Sequence, residues 1–116
     1  MSTASDIAQV EQSIAGAKDD LKRQECLARL EQNKDFRDLI MHGFLEDHAI
    51  RQVMLKAHPG LQGEKDQAML DHQIRAIGGF KQYMVAINTA GTNAAITLAA
   101  DEDTLIELRN EEIADA

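Results

Sequence analysis

The chain is organised around residues Asn33–Leu55, NKDFRDLIMHGFLEDHAIRQVML, which have the clearest helix start and the densest apolar face. Asn33 can cap a helix that begins at Lys34, because its side-chain oxygen can accept a backbone N–H of the first turn and Asp35 suits the positive end of the helix dipole. Apolar residues follow at helical spacing and form a stripe wide enough to face the core of a bundle: Phe36, Leu39, Ile40, Phe44, Ala49, Ile50, Val53 and Met54, with Leu55 at its margin. The sequence therefore predicts a core-facing helix over this stretch.

The segment His58-Pro59-Gly60 ends that helix, because the residue before a proline is pushed out of the α region and a glycine follows. The short loop suits an αα-hairpin with a third helix from about Glu64 to at least Asn88. Its apolar positions lie close to heptad spacing at Leu70, Ile74, Ile77, Met84 and Ile87, and Met69, Phe80 and Tyr83 broaden the face. The pair Gly78-Gly79 predicts either a kink or a close backbone approach, and the unchanged apolar phase on both sides favours close approach.

Upstream, residues 5 to 32 are predicted to form a first helix with Ser5 as its N-cap. It carries a narrow coiled-coil-like seam that we expect to be an oligomer or partner interface: Ile7, Val10, Ile14, Ala17 and Leu21. Beyond Leu21 the apolar positions drift around the helix, which indicates a change of packing partner. Gly16 indicates either a tolerated weak point or a close helix crossing, and Cys26 a small buried hydrophobe.

Downstream, the sequence AGTN at residues 90–93 leaves two possibilities open: a helix stop followed by a fourth helix, or a helix that runs through. The composition, 44% hydrophobic but 3% aromatic with one proline, favours helices over strands. We therefore expect an all-α protein of three to four helices, with an αα-hairpin core and a long N-terminal helix. The 116 residues fit one domain, with residues 1–4 and 114–116 frayed.

The net charge of −8 is concentrated at the C-terminal end, where residues 101–116 hold seven acids and one base. A chain of this sign repels phosphate backbones, and its bases do not gather in a run, so direct nucleic-acid binding is not expected. The acidic segment is either a solubilising end or an interaction tail for a basic partner, formed by Asp101, Glu102, Asp103, Glu107, Glu111 and Glu112.

The single cysteine cannot form an internal disulfide, and the N-terminus lacks the charge and apolar run of a signal peptide. No apolar run approaches the roughly 20 residues that span a bilayer. We therefore expect a chain that folds in the cytosol and does not enter membranes.

Residues that could carry chemistry form no recognisable set. His42 and Glu46 share a helix face with His48 nearby, but there is no HExxH and no cysteine cluster. Adjacent carboxylates such as Asp19-Asp20 splay apart on a helix and face solvent. The sequence therefore predicts no catalytic, cofactor-binding or metal-binding residues, no cofactor and no enzymatic activity.

The helix-two pattern and the segments after the loop resemble small helical proteins encoded among the virion structural genes of tailed bacteriophages. The resemblance covers roughly residues 20 to 110 and is carried by Asn33-Lys34-Asp35-Phe36, Leu39-Ile40, Gly43-Phe44-Leu45, Ala49-Ile50, Arg75-Ala76-Ile77 and Tyr83-Met84. It implies a virion structural or assembly protein, such as a capsid or head-to-tail accessory, with no catalytic residues. It also implies the host cytoplasm during assembly, and the virion, as its locations.

Two functions of different classes follow. The first is a non-enzymatic virion structural or assembly protein that acts through helical contacts with itself and with other virion proteins. The alternative is a small acidic inhibitor or adaptor that binds a basic surface of a host protein through the segment that begins at Asp101.

Overall fold

The computed structural model describes residues 2–115, and every regular element in that range is helical. Helix α1 spans Thr3–Gln32, α2 spans Lys34–Phe36, α3 spans Ala49–Leu55 and α4 spans Glu64–Ala114. A π-helical segment, Arg37–His48, joins α2 to α3, and a 3₁₀ turn, Pro59–Leu61, precedes α4. The all-α prediction is confirmed.

Helix α1 begins two residues earlier than predicted, because Ser2 and not Ser5 caps it. The backbone N–H of Ser5 donates to Ser2 Oγ at 3.2 Å, and the N–H of Asp6 donates to the Ser2 carbonyl at 3.1 Å. The hydroxyl thus satisfies a free donor of the first turn. The fraying predicted for residues 1–4 and 114–116 includes Met1 and Ala116, which lie outside the described residues.

The predicted boundary between the first two helices is confirmed. Asn33 is extended, with φ −72° and ψ 124°, and its Oδ1 accepts the backbone N–H of Phe36 at 2.9 Å. Asp35 lies in the first turn. At the other end His58 is also extended, and its Nδ1 accepts the N–H of Gly60 at 3.0 Å, which starts the 3₁₀ turn.

Helix α4 is continuous through Gly78-Gly79 and through Gly91, the two places where the sequence allows a kink or a helix end. Gly91 does not have the positive φ of a left-handed helix cap. Residues 90–93 therefore do not end α4, and no further helix begins there. Every seventh residue of α4 is covered over this region: Leu70, Ile77, Met84 and Gly91 are buried and Leu98 and Leu105 half-buried. One continuous heptad line therefore accounts for the length of the helix.

The contacts group the chain into two compact units, to which α1 and α4 both contribute. Unit 1 comprises Met1–Cys26 and Ile87–Ala116, and its buried residues are Ala17, Gly91 and Ala94. Unit 2 comprises Leu27–Ala86, and its buried residues are Leu27, Gln52, Leu70, Ile77 and Met84. Among the described residues no side chain is less than 2% exposed, so both cores are thin.

The prediction of the α4 core face is confirmed at Leu70, Ile77 and Met84, and Ile74 and Ile87 are half-buried. It is wrong for the three residues that were expected to broaden this face, since Met69 is 60%, Phe80 39% and Tyr83 62% exposed. Cys26 is also exposed, although a buried position was predicted. The apolar surface outside the core is thus larger than the sequence pattern indicates.

Candidate interaction surface

The π segment Arg37–His48 is the unusual element of unit 2, because π-helices are rare and mostly confined to single turns. A Cβ added to Gly43 would lie 2.9 Å from the carbonyl oxygen of Asp38, five residues earlier. Real Cβ atoms essentially never lie that close to another heavy atom, and a backbone carbonyl cannot swing aside as a side chain can. Glycine at position 43 therefore avoids a close contact with the Asp38 carbonyl that a side chain there would make.

The π segment changes which residues of this helical stretch face the core. At i→i+5 bonding, steps of four and five residues return to one face. The covered side includes a line of positions four residues apart, at Phe36, Ile40, Phe44 and His48, which are half-buried, and at Gln52, which is buried. The half-buried residues Met41, Gly43, Leu45 and Ala49 flank this line. The predicted stripe was drawn at 3.6 residues per turn. It is wrong for Leu39, Ile50, Val53 and Met54.

Helix α3 consequently presents apolar side chains to solvent and an amide to the core. Ile50 is 62%, Val53 52% and Met54 69% exposed, whereas Gln52 is 5% exposed. Ile50, Val53 and Met54 lie at i, i+3 and i+4 and share one face, here named the α3 face. The sequence holds one signal of this arrangement, because Gly43 and Asp47 interrupt the stripe when it is drawn as a continuous α-helix.

An aromatic contact joins the π segment to α4 within unit 2. The ring of Phe44 meets that of Phe80 edge-on, with centroids 5.9 Å apart and planes at 86°. On its other side Phe44 stacks on His48, also at 5.9 Å. Edge-to-face packing of this kind stabilises an aromatic pair beyond its buried area.

A second exposed apolar line follows α4 in unit 2. Met69, Ala76 and Tyr83 are seven residues apart, with Phe80 between the last two, and all four are exposed. The line lies one residue before the buried positions Leu70, Ile77 and Met84 along the helix. An exposed methionine and two exposed aromatic residues along one helix suit an adaptable contact surface.

Unit 2 carries no net charge, although the whole chain carries −8. It contains eight Lys or Arg and eight Asp or Glu residues, whereas unit 1 contains four and twelve. All of the net negative charge therefore belongs to unit 1. The exposed apolar residues of α3 stand in the neutral unit.

The five residues of the predicted N-terminal interface lie on a covered side of α1 in unit 1. Ala17 is buried, and Ile7, Val10, Ile14 and Leu21 are half-buried. Three side chains of α1 bond to the final half of α4: Arg109 donates to Glu11, Ser13 donates to Asp101, and Gln24 donates to the Asn88 carbonyl. The seam is thus covered in part by the same chain, and its role in contacts with another chain stays a prediction.

The close helix approach in unit 1 is at Gly91. A Cβ on Gly91 would lie 2.5 Å from Gln24 Cβ, too close for any side chain at position 91. Around Gly16, Gly78 and Gly79 an added Cβ would meet nothing within 4 Å, so the close approach predicted at Gly78-Gly79 is wrong. Gly16 lines a cleft of about 330 Å³ that is bordered by Ser13, Ala17, Asp20, Ala90, Asn93, Ala94 and Thr97.

The acidic segment is helical, and its six predicted interaction residues differ in their surroundings. Asp101 is half-buried and accepts the Ser13 hydroxyl. The other five are exposed: Glu102, Asp103, Glu107, Glu111 and Glu112. Of the six predicted residues, these five offer carboxylates that a basic partner could reach without breaking the contact between Asp101 and Ser13.

Comparison with protein-family models, with curated proteins and with solved structures finds no match for the chain.

Polar clusters in the described residues are small. Within residues 2–115 no three His, Cys, Asp or Glu side chains come together in an arrangement that could hold a metal ion. His42 and Glu46 pair at 3.5 Å on the surface of the π segment. In the same range no helix combines the length and hydropathy needed to cross a bilayer.

Proposed function

We propose that the protein is a non-enzymatic module that acts through helical protein–protein contacts, as a structural or assembly component of a bacteriophage virion. The observation that carries this proposal is the α3 face, where Ile50, Val53 and Met54 are each more than half exposed. Three large apolar side chains on one face of a short helix are a typical docking feature.

The contacts of unit 2 support an αα-hairpin as the platform for this face. Phe44 meets Phe80, and further along the chain Lys56 Nζ pairs with Asp71. From the first pair to the second, the residue number rises from 44 to 56 in one partner and falls from 80 to 71 in the other. Antiparallel helices give this order. In unit 1 the pairs Glu11–Arg109 and Ser13–Asp101 follow the same order and suit a coiled-coil-like N-terminal helix.

We propose a second copy of the chain as the occupant of the α3 face. Two copies of the neutral unit 2 approach each other without net repulsion, whereas two copies of unit 1 bring twelve acids and four bases each. Contacts between copies are therefore favoured through unit 2. Screening by salt should help assembly, because it weakens the repulsion between the acidic units.

The virion role is tested by mass spectrometry of particles purified from the phage that encodes the chain. A structural component is expected at a fixed copy number per particle. An assembly component is expected in immature particles only. Absence from both kinds of particle would contradict the virion role.

A second candidate, an acidic inhibitor or adaptor of a host protein, is favoured by the five exposed carboxylates of the acidic segment. Deletion after Ala100 is a poor test, because it also removes Leu105 and Leu108, which are half-buried in unit 1. Replacing the five carboxylates by Asn and Gln keeps the side-chain size and leaves Asp101 bonded to Ser13.

This charge-neutralised variant is compared with the wild type for binding to immobilised poly-lysine and to basic host proteins in lysate. Loss of a salt-sensitive, saturable host interaction, with self-association unchanged, would favour the adaptor role. Equal binding by both proteins would contradict it.

A further inference from the structure

The π segment and α3 together place side chains against their hydropathy. Ile50 and Met54 are exposed and Gln52 is buried, on the same short helix. A rotation of α3 by about half a turn would reverse this, because residues two positions apart on an α-helix point in nearly opposite directions.

The π segment supplies a rotation of that size. Phe36 and Met54 are 18 residues apart, which is five turns of continuous α-helix, so α-helical bonding throughout would put both on one face. In the structure Phe36 is half-buried and Met54 is 69% exposed. At roughly 4.4 residues per turn, the 12 residues of the π segment fall about 0.6 turn short of an α-helix of equal length.

We infer that Arg37–His48 is a register switch, whose conversion from π- to α-helical bonding turns the α3 face inward and Gln52 outward. In the π register the apolar face is available to a partner. In the α register the same residues continue the stripe of Phe36 and Ile40 and are withdrawn from solvent. The register switch itself does not depend on the proposed function. Its consequence, the control of docking, rests on that function.

Two features of the chain bias this switch. Gly43 permits the π register, since any Cβ there would meet the Asp38 carbonyl at 2.9 Å. The loop after α3 stabilises the π register, because Gln67 Nε2 donates to the carbonyls of Lys56 and Leu61 at 3.0 and 2.8 Å. Rotation of α3 must move the Lys56 carbonyl and break the first of these bonds.

The switch is tested by thiol labelling of full-length C26S protein that carries either Gln52→Cys or Met54→Cys, at sub-micromolar concentration. In the π register Met54→Cys reacts fast and Gln52→Cys slowly. Addition of Gly43→Ala is expected to speed labelling at position 52 by about tenfold, because a shift of about 1.4 kcal/mol in the register equilibrium raises the population of the minor α register tenfold. Labelling at position 54 slows in proportion to the population that the π register loses. Gly78→Ala is the matched control, because a Cβ at that position meets nothing within 4 Å.

Asp47→Leu tests the same inference without a steric clash. Position 47 lies within the apolar stripe only in the α register, so a leucine there favours that register. It is expected to shift labelling in the same direction as Gly43→Ala. Unchanged labelling in both variants would overturn the switch, and so would fast labelling at both positions with loss of helical circular dichroism.

Failure of self-association leaves this test intact, because labelling is read on the monomer. Conversely, association of the variants with unchanged labelling would support the docking surface. This result would also contradict the regulation of that surface by the helical register.

Discussion

Gly91 of α4 lies directly against the side chain of Gln24 of α1, so that a methyl group at position 91 would come within 2.5 Å of Gln24 Cβ. The Cβ is the stiff end of the glutamine side chain and cannot move unless its helix moves. Gly91→Ala is therefore expected to lower the free energy of unfolding by about 1–3 kcal/mol through overpacking. Urea denaturation followed by circular dichroism measures this change.

Gly79→Ala is the control for that substitution, and its effect should have the opposite sign. An added Cβ meets nothing within 4 Å, and alanine has the higher helix propensity. We expect the free energy of unfolding to rise by roughly 0.5–1 kcal/mol. Equal effects at positions 79 and 91 would contradict the close approach at Gly91.

The pair of Lys56 and Asp71 gives stability a pH dependence. The hydrogen bond from Lys56 Nζ, with the attraction of Lys56 and Arg75, lowers the pKa of Asp71 below its ordinary value of 3.8. The folded state thus binds this proton more weakly than the unfolded state does, so the contribution of the pair is complete well above pH 3.8. It is lost as the pH falls through the lowered pKa of the folded state.

Asp71→Asn should therefore be less stable than wild type at pH 7, with a difference that shrinks as the pH falls below 3.8. Urea midpoints between pH 2.5 and 7 test this. Asp103→Asn, which changes an exposed carboxylate of unit 1, is the control. A difference that stays constant with pH would contradict the role of the pair.

Phe44→Ala is expected to destabilise unit 2 by roughly 1.5–3 kcal/mol, since Phe44 is half-buried between His48 and Phe80. Phe44→Leu retains most of the apolar volume and should lose less. Near-equal unfolding free energies for wild type and Phe44→Ala would show that the aromatic contact does not support the fold.

Ile14→Asp separates core from interface in unit 1. Ile14 is half-buried on the side of α1 whose neighbours bond to α4, so a carboxylate there should destabilise unit 1 by roughly 1–3 kcal/mol. If this variant instead keeps its stability and changes only the oligomer size, the seam is an interface between chains, as the sequence pattern predicts.

The sequence predicted well what local chemistry decides. Asn33 is a typical N-cap residue, so the start of the second helix was predicted correctly. Leu70, Ile77 and Met84 repeat at heptad spacing without interruption, so the buried line of α4 was predicted as well. Ser5 failed as a cap because Ser2 offers the same hydroxyl one turn earlier.

The α3 face was not predicted, because it depends on the hydrogen-bond register, which the sequence signals only through Gly43 and Asp47 in the apolar stripe. Each residue of Arg37–His48 is compatible with an α-helix, and only the summed rotation of 12 residues moves Met54 outward and Gln52 inward. Close approach at Gly91 likewise depends on Gln24, which is 67 positions away in sequence.

Contact between copies through the α3 face is tested most directly by sedimentation velocity of the wild type and of Ile50→Asp at tens of micromolar and about 0.15 M salt. We expect the wild type to self-associate and Ile50→Asp to be monomeric. The unfolding free energy of Ile50→Asp should stay within about 0.5 kcal/mol of wild type, because residue 50 is exposed. Lys65→Asp, a change of charge on an exposed residue in the first turn of α4, should associate as wild type does. A monomeric wild type, or an Ile50→Asp variant that associates as strongly as wild type, would contradict the α3 face as the site of contact.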